Sequence, residues 1–152
     1  MTPSRYLVVQ RDTRTMDIDA SAVALASVVG VLVGSLWFGP KTFFPRWWQA
    51  LGKSADDQPG GSNMALVFGF TFVAIVVQAL VLAVVISLAS SAMGELGWFG
   101  GLATGALMGV GFAVSASLTH KLFGGINLWT WVLEAGADIV ALALMGAIIG
   151  AF

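Results

Sequence analysis

Two carboxylates, Glu134 and Asp138, stand in an apolar stretch from residue 129 to residue 152 that is long enough to cross a lipid bilayer. Their spacing of four residues places them on one face of a helix, one turn apart. A carboxylate near the middle of a membrane helix costs about 2.5–3.5 kcal/mol on insertion scales. Acids paired on one helix face are the usual material of a proton relay or a cation site, so these residues are the first candidates for function.

Other polar side chains in or beside the apolar segments extend this candidate pathway for protons, cations or a small solute. They are Gln78, Thr104, Ser115 and His120. A hydrogen bond between helices explains a glutamine such as Gln78 most simply, and a place in the pathway is the alternative. His120 is expected to form hydrogen bonds at a helix end rather than to sense pH.

The simplest interpretation is a structural four-helix bundle with a buried acidic pair. Glu134 would then pair with His120 or Lys121 near the membrane surface, and Asp138 would be protonated and hydrogen-bonded within the bundle. The residues that could accept or donate that hydrogen bond are Gln78, Ser115 and Thr104. On this interpretation the two acids serve packing and specificity.

Other interpretations give the acids a function. In one, the Glu134–Asp138 ladder lines a path through a small transporter or channel, which would be a homodimer or larger because four short helices leave little room inside one chain. In another, the protein is an accessory subunit whose carboxylates meet a basic residue of another membrane protein. An enzyme is not expected, because the sequence has no HExxH motif, no serine-centred elbow and no second histidine.

The composition indicates an integral membrane protein. Hydrophobic residues make up 58% of the 152 residues and charged residues only 10%, against about 25% in ordinary soluble domains. The net charge of -1 does not suggest nucleic acid as a partner. The absence of cysteine excludes disulfides and thiolate metal sites, and with one histidine neither a metal centre nor another cofactor is expected.

The apolar blocks predict an all-α, polytopic fold with four transmembrane helices at about 20–39, 64–91, 98–120 and 129–150. Residues 1–19 form a polar tail, and Met16 is a second candidate start. Residues 20–152 form one membrane domain. The segment 40–63 is its only long loop, and its alternating cations and aromatic residues suit the headgroup level, with a short helix after Pro45.

Small residues recur at every fourth position in three of the predicted helices, which lets helix backbones approach closely. The glycines expected to pack are Gly30, Gly34, Gly101, Gly105, Gly109, Gly146 and Gly150. The longest stripe is in helix three, so that helix is expected at the centre, touching helix one small face to small face. The second helix lacks such a stripe and is expected to be the most lipid-exposed.

All six tryptophans fall near a predicted helix end, where indole rings commonly anchor a helix at the membrane interface. They are Trp37, Trp47, Trp48, Trp98, Trp129 and Trp131. This distribution supports four spans independently of hydropathy. The positive-inside rule, counted from Met16, places the 40–63 loop in the cytoplasm and both termini outside.

Three segments resemble one protein family. SLWFGPKTFFPRWW follows helix one, GALMGVGFAVSASLTHKLFGG runs through helix three, and LEAGADIVALALMGAIIG closes the chain. They are similar to the bacterial membrane family catalogued as domain of unknown function 1761, over about residues 17–152. The resemblance implies a four-helix protein of the bacterial inner membrane that starts near Met16, and it implies no activity.

Overall fold

The fold is all-α, as predicted, and four of its helices are long and apolar enough to span a membrane. The computed structural model describes residues 18–54, 56–57 and 63–152. In those residues there are five helices: α1 (Ala20–Trp37), α2 (Phe44–Ala50), α3 (Met64–Met93), α4 (Gly97–Phe123) and α5 (Leu128–Ala151). The four predicted spans correspond to α1, α3, α4 and α5. The polar tail up to residue 17 and the candidate start at Met16 lie outside the described residues.

Side-chain caps mark where three of the spans begin. Asp19 accepts hydrogen bonds from the backbone N–H groups of Ser21 and Ala22, at 2.7 and 3.1 Å, and from the Ser21 hydroxyl. These three hydrogen bonds hold the pKa of Asp19 below its ordinary value. The bond from the Ser21 hydroxyl has the largest effect, and the two backbone N–H groups add to it. Asn63 and Asn127 cap α3 and α5 in the same way.

The closest helix contact joins α4 to α5 through glycines of both helices. A β-carbon at Gly101 would overlap the carbonyl oxygen of Gly146, and one at Gly105 would overlap that of Leu142. At Gly109 a β-carbon would come within 3.1 Å of the Ile139 Cα. The absence of side chains therefore allows backbone-to-backbone contact over several turns.

Helix α1 does not pack as the glycine pattern predicts. Its main contacts are with α5 and α3, and any contact with α4 is marginal. Gly30 lies against Ile75 of α3 and Met145 of α5, whereas a β-carbon at Gly34 would meet nothing within 4 Å. A stripe of small residues permits a close approach but does not name the approaching helix. Here the glycines of α4 are matched by those of α5.

The apolar core lies in the half of the bundle nearer the termini. Its buried residues are Val23, Ala26, Ala79, Leu82, Ala83, Ile86, Leu142 and Met145. In the other half, α3 leaves its neighbours, and every residue from Met64 to Ala74 is exposed. In that half the bundle is therefore open along the side of α3. The second span is thus largely exposed, but it is not the most exposed as predicted, because only 22% of the most apolar stretch is buried in α3 and in α4 alike.

The middle of α4 is a π-helical turn from Gly109 to Val114. The Ser115 hydroxyl donates to the carbonyl oxygen of Val110 at 2.8 Å, five residues back. The indole N–H of Trp131 lies 3.3 Å from the Val114 carbonyl oxygen and 3.2 Å from the Ser117 hydroxyl. A π-turn is rare and is often found at functional sites, so its position at the centre of a span is relevant to the candidate site.

Candidate functional site

Glu134 is held by side chains from two other helices. Its Oε2 forms an ion pair with the Lys121 Nζ at 2.8 Å, and its Oε1 accepts a hydrogen bond from the Trp47 indole N–H at 2.9 Å. The Lys121 and Glu134 side chains are only 23% and 24% exposed. The Glu134 carboxylate therefore links α5 to the end of α4 and to α2. The Lys121 ammonium neutralises its negative charge.

Tryptophans of α1 and α2 make hydrogen bonds at this end of the bundle. The Trp37 indole donates to the Leu133 carbonyl oxygen at 3.0 Å, and its ring lies against Gly136. Trp47 reaches Glu134, as described above. Trp48 is buried and donates to the Ser54 carbonyl oxygen at 2.7 Å, which closes the segment after α2. These indole groups make specific hydrogen bonds within the protein, a role that their position in the sequence did not indicate.

Trp98 and Trp129 are placed differently from the other tryptophans. They are 61% and 52% exposed, at the starts of α4 and α5 respectively. This exposure at helix ends is what membrane-interface anchors require.

Asp138 is not held in this way. It is partly exposed, and no hydrogen bond or ion pair reaches its carboxylate from the residues that the structure describes. The expected partners are engaged or turned elsewhere. Thr104 donates to its own helix at the Gly100 carbonyl oxygen, Ser115 bonds to Val110, and Gln78 is exposed on α3.

The expected buried acidic pair is therefore wrong in its burial, because neither Glu134 nor Asp138 is buried. The residues of α3 from Met64 to Ala74 are all exposed, so this part of α3 does not cover the acids, and Glu134 is enclosed instead by Lys121 and Trp47. Of the two expected partners of Glu134, Lys121 forms the ion pair, whereas His120 is exposed.

Depth in the bilayer brings three polar features to one level. Asp138 lies ten residues after Leu128 in the 24-residue α5, so it is about 15 Å from the start of that helix and near its centre. Gln78 lies at the centre of α3, and the π-helical turn lies at the centre of α4. The middle layer of the protein thus contains a carboxylate, an amide and an irregular backbone segment.

Helix α1 has open space beside Gly34, at about the depth of Asp138. Helix α1 touches α5 where Gly30 meets Met145 and where Trp37 meets Gly136. Because the helices run antiparallel, Gly34 and Asp138 lie between those two contacts. Nothing would lie within 4 Å of a β-carbon at Gly34, so no protein atom packs against that position.

The buried hydroxyl of Thr130 was not anticipated from the sequence. It lies one turn before Glu134 and is fully buried without a hydrogen-bond partner. No pattern around a single threonine in an apolar helix marks it as unusual. Among the described residues, no group of three or more His, Cys, Asp or Glu side chains is arranged to hold a metal ion.

Comparison with known proteins gives one match. The family model described as "Protein of unknown function (DUF1761)" matches residues 21–150. No curated protein and no solved structure matches the chain.

Proposed function

We propose that an assembly of this multi-pass membrane protein passes protons or small cations by way of Asp138, and that this role is not enzymatic. The chain belongs to the family described as "Protein of unknown function (DUF1761)". Glu134 takes a structural role in this proposal, because Lys121 and Trp47 already satisfy its carboxylate. The observation that carries the proposal is the unpaired, partly exposed Asp138 at the centre of α5.

The energetics of a charge in a bilayer support a function for Asp138. A carboxylate at the centre of a membrane helix is unfavourable by about 2.5–3.5 kcal/mol unless it is hydrated, protonated or paired. The described residues supply no pairing group. Water or a transported cation beside Asp138 would supply the missing interaction, and so would a basic side chain of another membrane protein.

Measurement of ion flux tests this proposal. In liposomes that contain the purified protein, we expect a pH or cation gradient to decay faster than in empty liposomes. We expect Asp138→Asn to remove this acceleration, and Asp138→Glu to keep part of it, because only the second variant retains an ionisable group. Glu95→Gln is the matched control, since Glu95 is an exposed carboxylate at the end of α3 nearer the termini.

Three outcomes would overturn the proposed function. Wild-type liposomes that leak no faster than empty ones would do so, and so would an Asp138→Asn protein with undiminished flux. A stable membrane partner that co-purifies and is lost on Asp138→Leu would indicate the accessory-subunit alternative. A structural role alone predicts no flux and an Asp138→Asn protein at least as stable as the wild type.

The proposed location is the bacterial cytoplasmic membrane with both termini outside. The lysine and arginine residues that the structure describes lie at the end of the bundle that carries α2. They are Lys41, Arg46, Lys53 and Lys121. The opposite end carries Asp19 and Glu95. The positive-inside rule then puts α2 in the cytoplasm. We expect a periplasm-active reporter fused after Phe152 to be active and a cytoplasm-active reporter to be silent, and the reverse pattern would contradict this orientation.

A further inference from the structure

We propose that a second copy of this chain binds across one midplane face, made of Val77, Gln78, Val81 and Phe112 and called here the Gln78 face. This inference rests on the proposed function in one respect, since it identifies the contact through which the proposed assembly would form. The residues that support it do not include Asp138. The amide of Gln78, the shape of this face and its ability to pair with its own copy favour a second copy as the partner.

The Gln78 amide needs a hydrogen-bonding partner that lipid cannot supply. Gln78 lies at the centre of the 30-residue α3 and is exposed, so its side chain is at the depth of the hydrocarbon core. No hydrogen bond reaches it from the described residues. An amide left without partners in hydrocarbon is unfavourable by several kcal/mol on transfer scales. A neighbouring polar group in the membrane would remove that penalty.

The Gln78 face combines an apolar groove with an exposed aromatic ring. A groove of about 300 Å³ runs between α3, the π-helical turn and α5, lined by Val77, Gln78, Val81, Leu82, Met108, Phe112, Ala113 and Leu142. The ring of Phe112 stands at its edge and is 68% exposed. A π-turn contains an extra residue in the helical path, and here it presents this aromatic side chain to the bilayer.

These features favour a copy of the same chain over an unrelated partner. In a twofold interface the same patch meets itself, so each group must be complementary to itself or to a neighbour on that patch. A glutamine amide is both donor and acceptor and can pair with its own copy. The face likewise carries a projecting Phe112 and an apolar groove to receive its copy. Acyl chains could fill the groove but would leave the amide unpaired.

Cross-linking in the cysteine-free chain tests the proposal directly. The sequence has no cysteine, so a single introduced thiol reports on one position without background. We expect Val81→Cys or Val77→Cys to form covalent dimers with a short bis-maleimide in liposomes. Val28→Cys is the matched control, because Val28 on α1 is 52% exposed and Val81 is 50% exposed, and both lie in the central part of their spans. We expect it to remain monomeric.

Replacement of the amide provides a second readout. We expect Gln78→Leu to weaken dimerisation by roughly 3- to 30-fold, the range for one interhelical polar contact in membranes, and Gln78→Asn to weaken it less. The monomer–dimer equilibrium can be followed by energy transfer between labelled copies diluted in lipid. Cross-linking at neither Val77 nor Val81, equal cross-linking at Val28, or an unchanged equilibrium in Gln78→Leu would each overturn the proposal.

The proposed function and the interface fail separately. Asp138-dependent flux without cross-linking at Val77 or Val81 would leave the function standing and remove this interface. Cross-linking at Val81 without flux would keep the dimer and remove the function. Cross-linking only to other membrane proteins would remove the second copy as the occupant.

Discussion

Replacement of Gly105 by alanine is expected to cause a large loss of stability, comparable with the loss caused by alanine at Gly101 or Gly146. A β-carbon at this position would overlap the Leu142 carbonyl oxygen, and the next atoms are the backbone carbon of Leu142 and the Cα of Ala143 at 3.1 Å. Backbone atoms cannot rotate away as a side chain can. The two helices must separate, with an expected loss of about 3 kcal/mol or more, at the upper end of the range for overpacking.

The control for this experiment is Gly34→Ala. Gly34 is also a glycine of an apolar span, but a β-carbon there would meet nothing within 4 Å. Alanine is favoured over glycine in a helix by about 0.5–1 kcal/mol, so this variant should be neutral or slightly more stable. Unfolding temperatures in a mild detergent, followed by tryptophan fluorescence, compare the two proteins. A Gly105→Ala protein as stable as Gly34→Ala would show that α4 and α5 are not in backbone contact.

Removal of the Glu134 carboxylate is expected to produce the second large loss of stability. Glu134→Ala leaves the Lys121 ammonium and the Trp47 indole N–H without their shared acceptor. Both groups are partly enclosed by protein. The expected decrease in unfolding free energy is about 1–2 kcal/mol, in the lower part of the range for a buried polar group that loses its partner, because the Lys121 side chain is still 23% exposed. Detachment of α2 should accompany it, since Trp47 is one of the few links between α2 and α5.

A double-mutant cycle separates the ion pair from general damage. Lys121→Met alone should also destabilise, because it leaves the carboxylate without its counter-charge. The double variant should lose less than the sum of the two single losses, since the second change removes the group that the first left unpaired. Glu95→Gln is the control, an exposed carboxylate outside this cluster. Additive losses, or no loss at Glu134, would mean that the ion pair contributes nothing to stability.

Some of these features could be predicted from the sequence and others could not. The limits of α1, α3, α4 and α5 follow from apolar runs, because the thickness of a bilayer fixes how many residues must be apolar. Lys121 lies shortly before Glu134 in the chain, on the other side of the turn between α4 and α5, so the sequence predicts that the two can pair. Trp47 lies 87 residues before Glu134, and no local pattern connects them.

The choice of helix partners was beyond the sequence for a different reason. Gly30 and Gly34 share a stripe, yet only Gly30 meets other helices. A stripe is a property of one helix, whereas a contact depends on the surfaces of all the others. The exposure of Asp138 has the same origin. Its position on α5 predicts a bundle-facing residue, and only the path of α3 determines whether that side is covered.

The lengths of the spans have a consequence for the surrounding membrane. Helix α1 has 18 residues and α3 has 30, so they measure about 27 Å and 45 Å at the rise of an α-helix. A bilayer with a hydrocarbon core of about 30 Å matches α1 when that helix stands upright, whereas α3 is long enough to cross it at a tilt. Thinning of the bilayer increases the tilt of the long helix and leaves the short one upright. The angle between α1 and α3 is therefore coupled to the thickness of the host membrane.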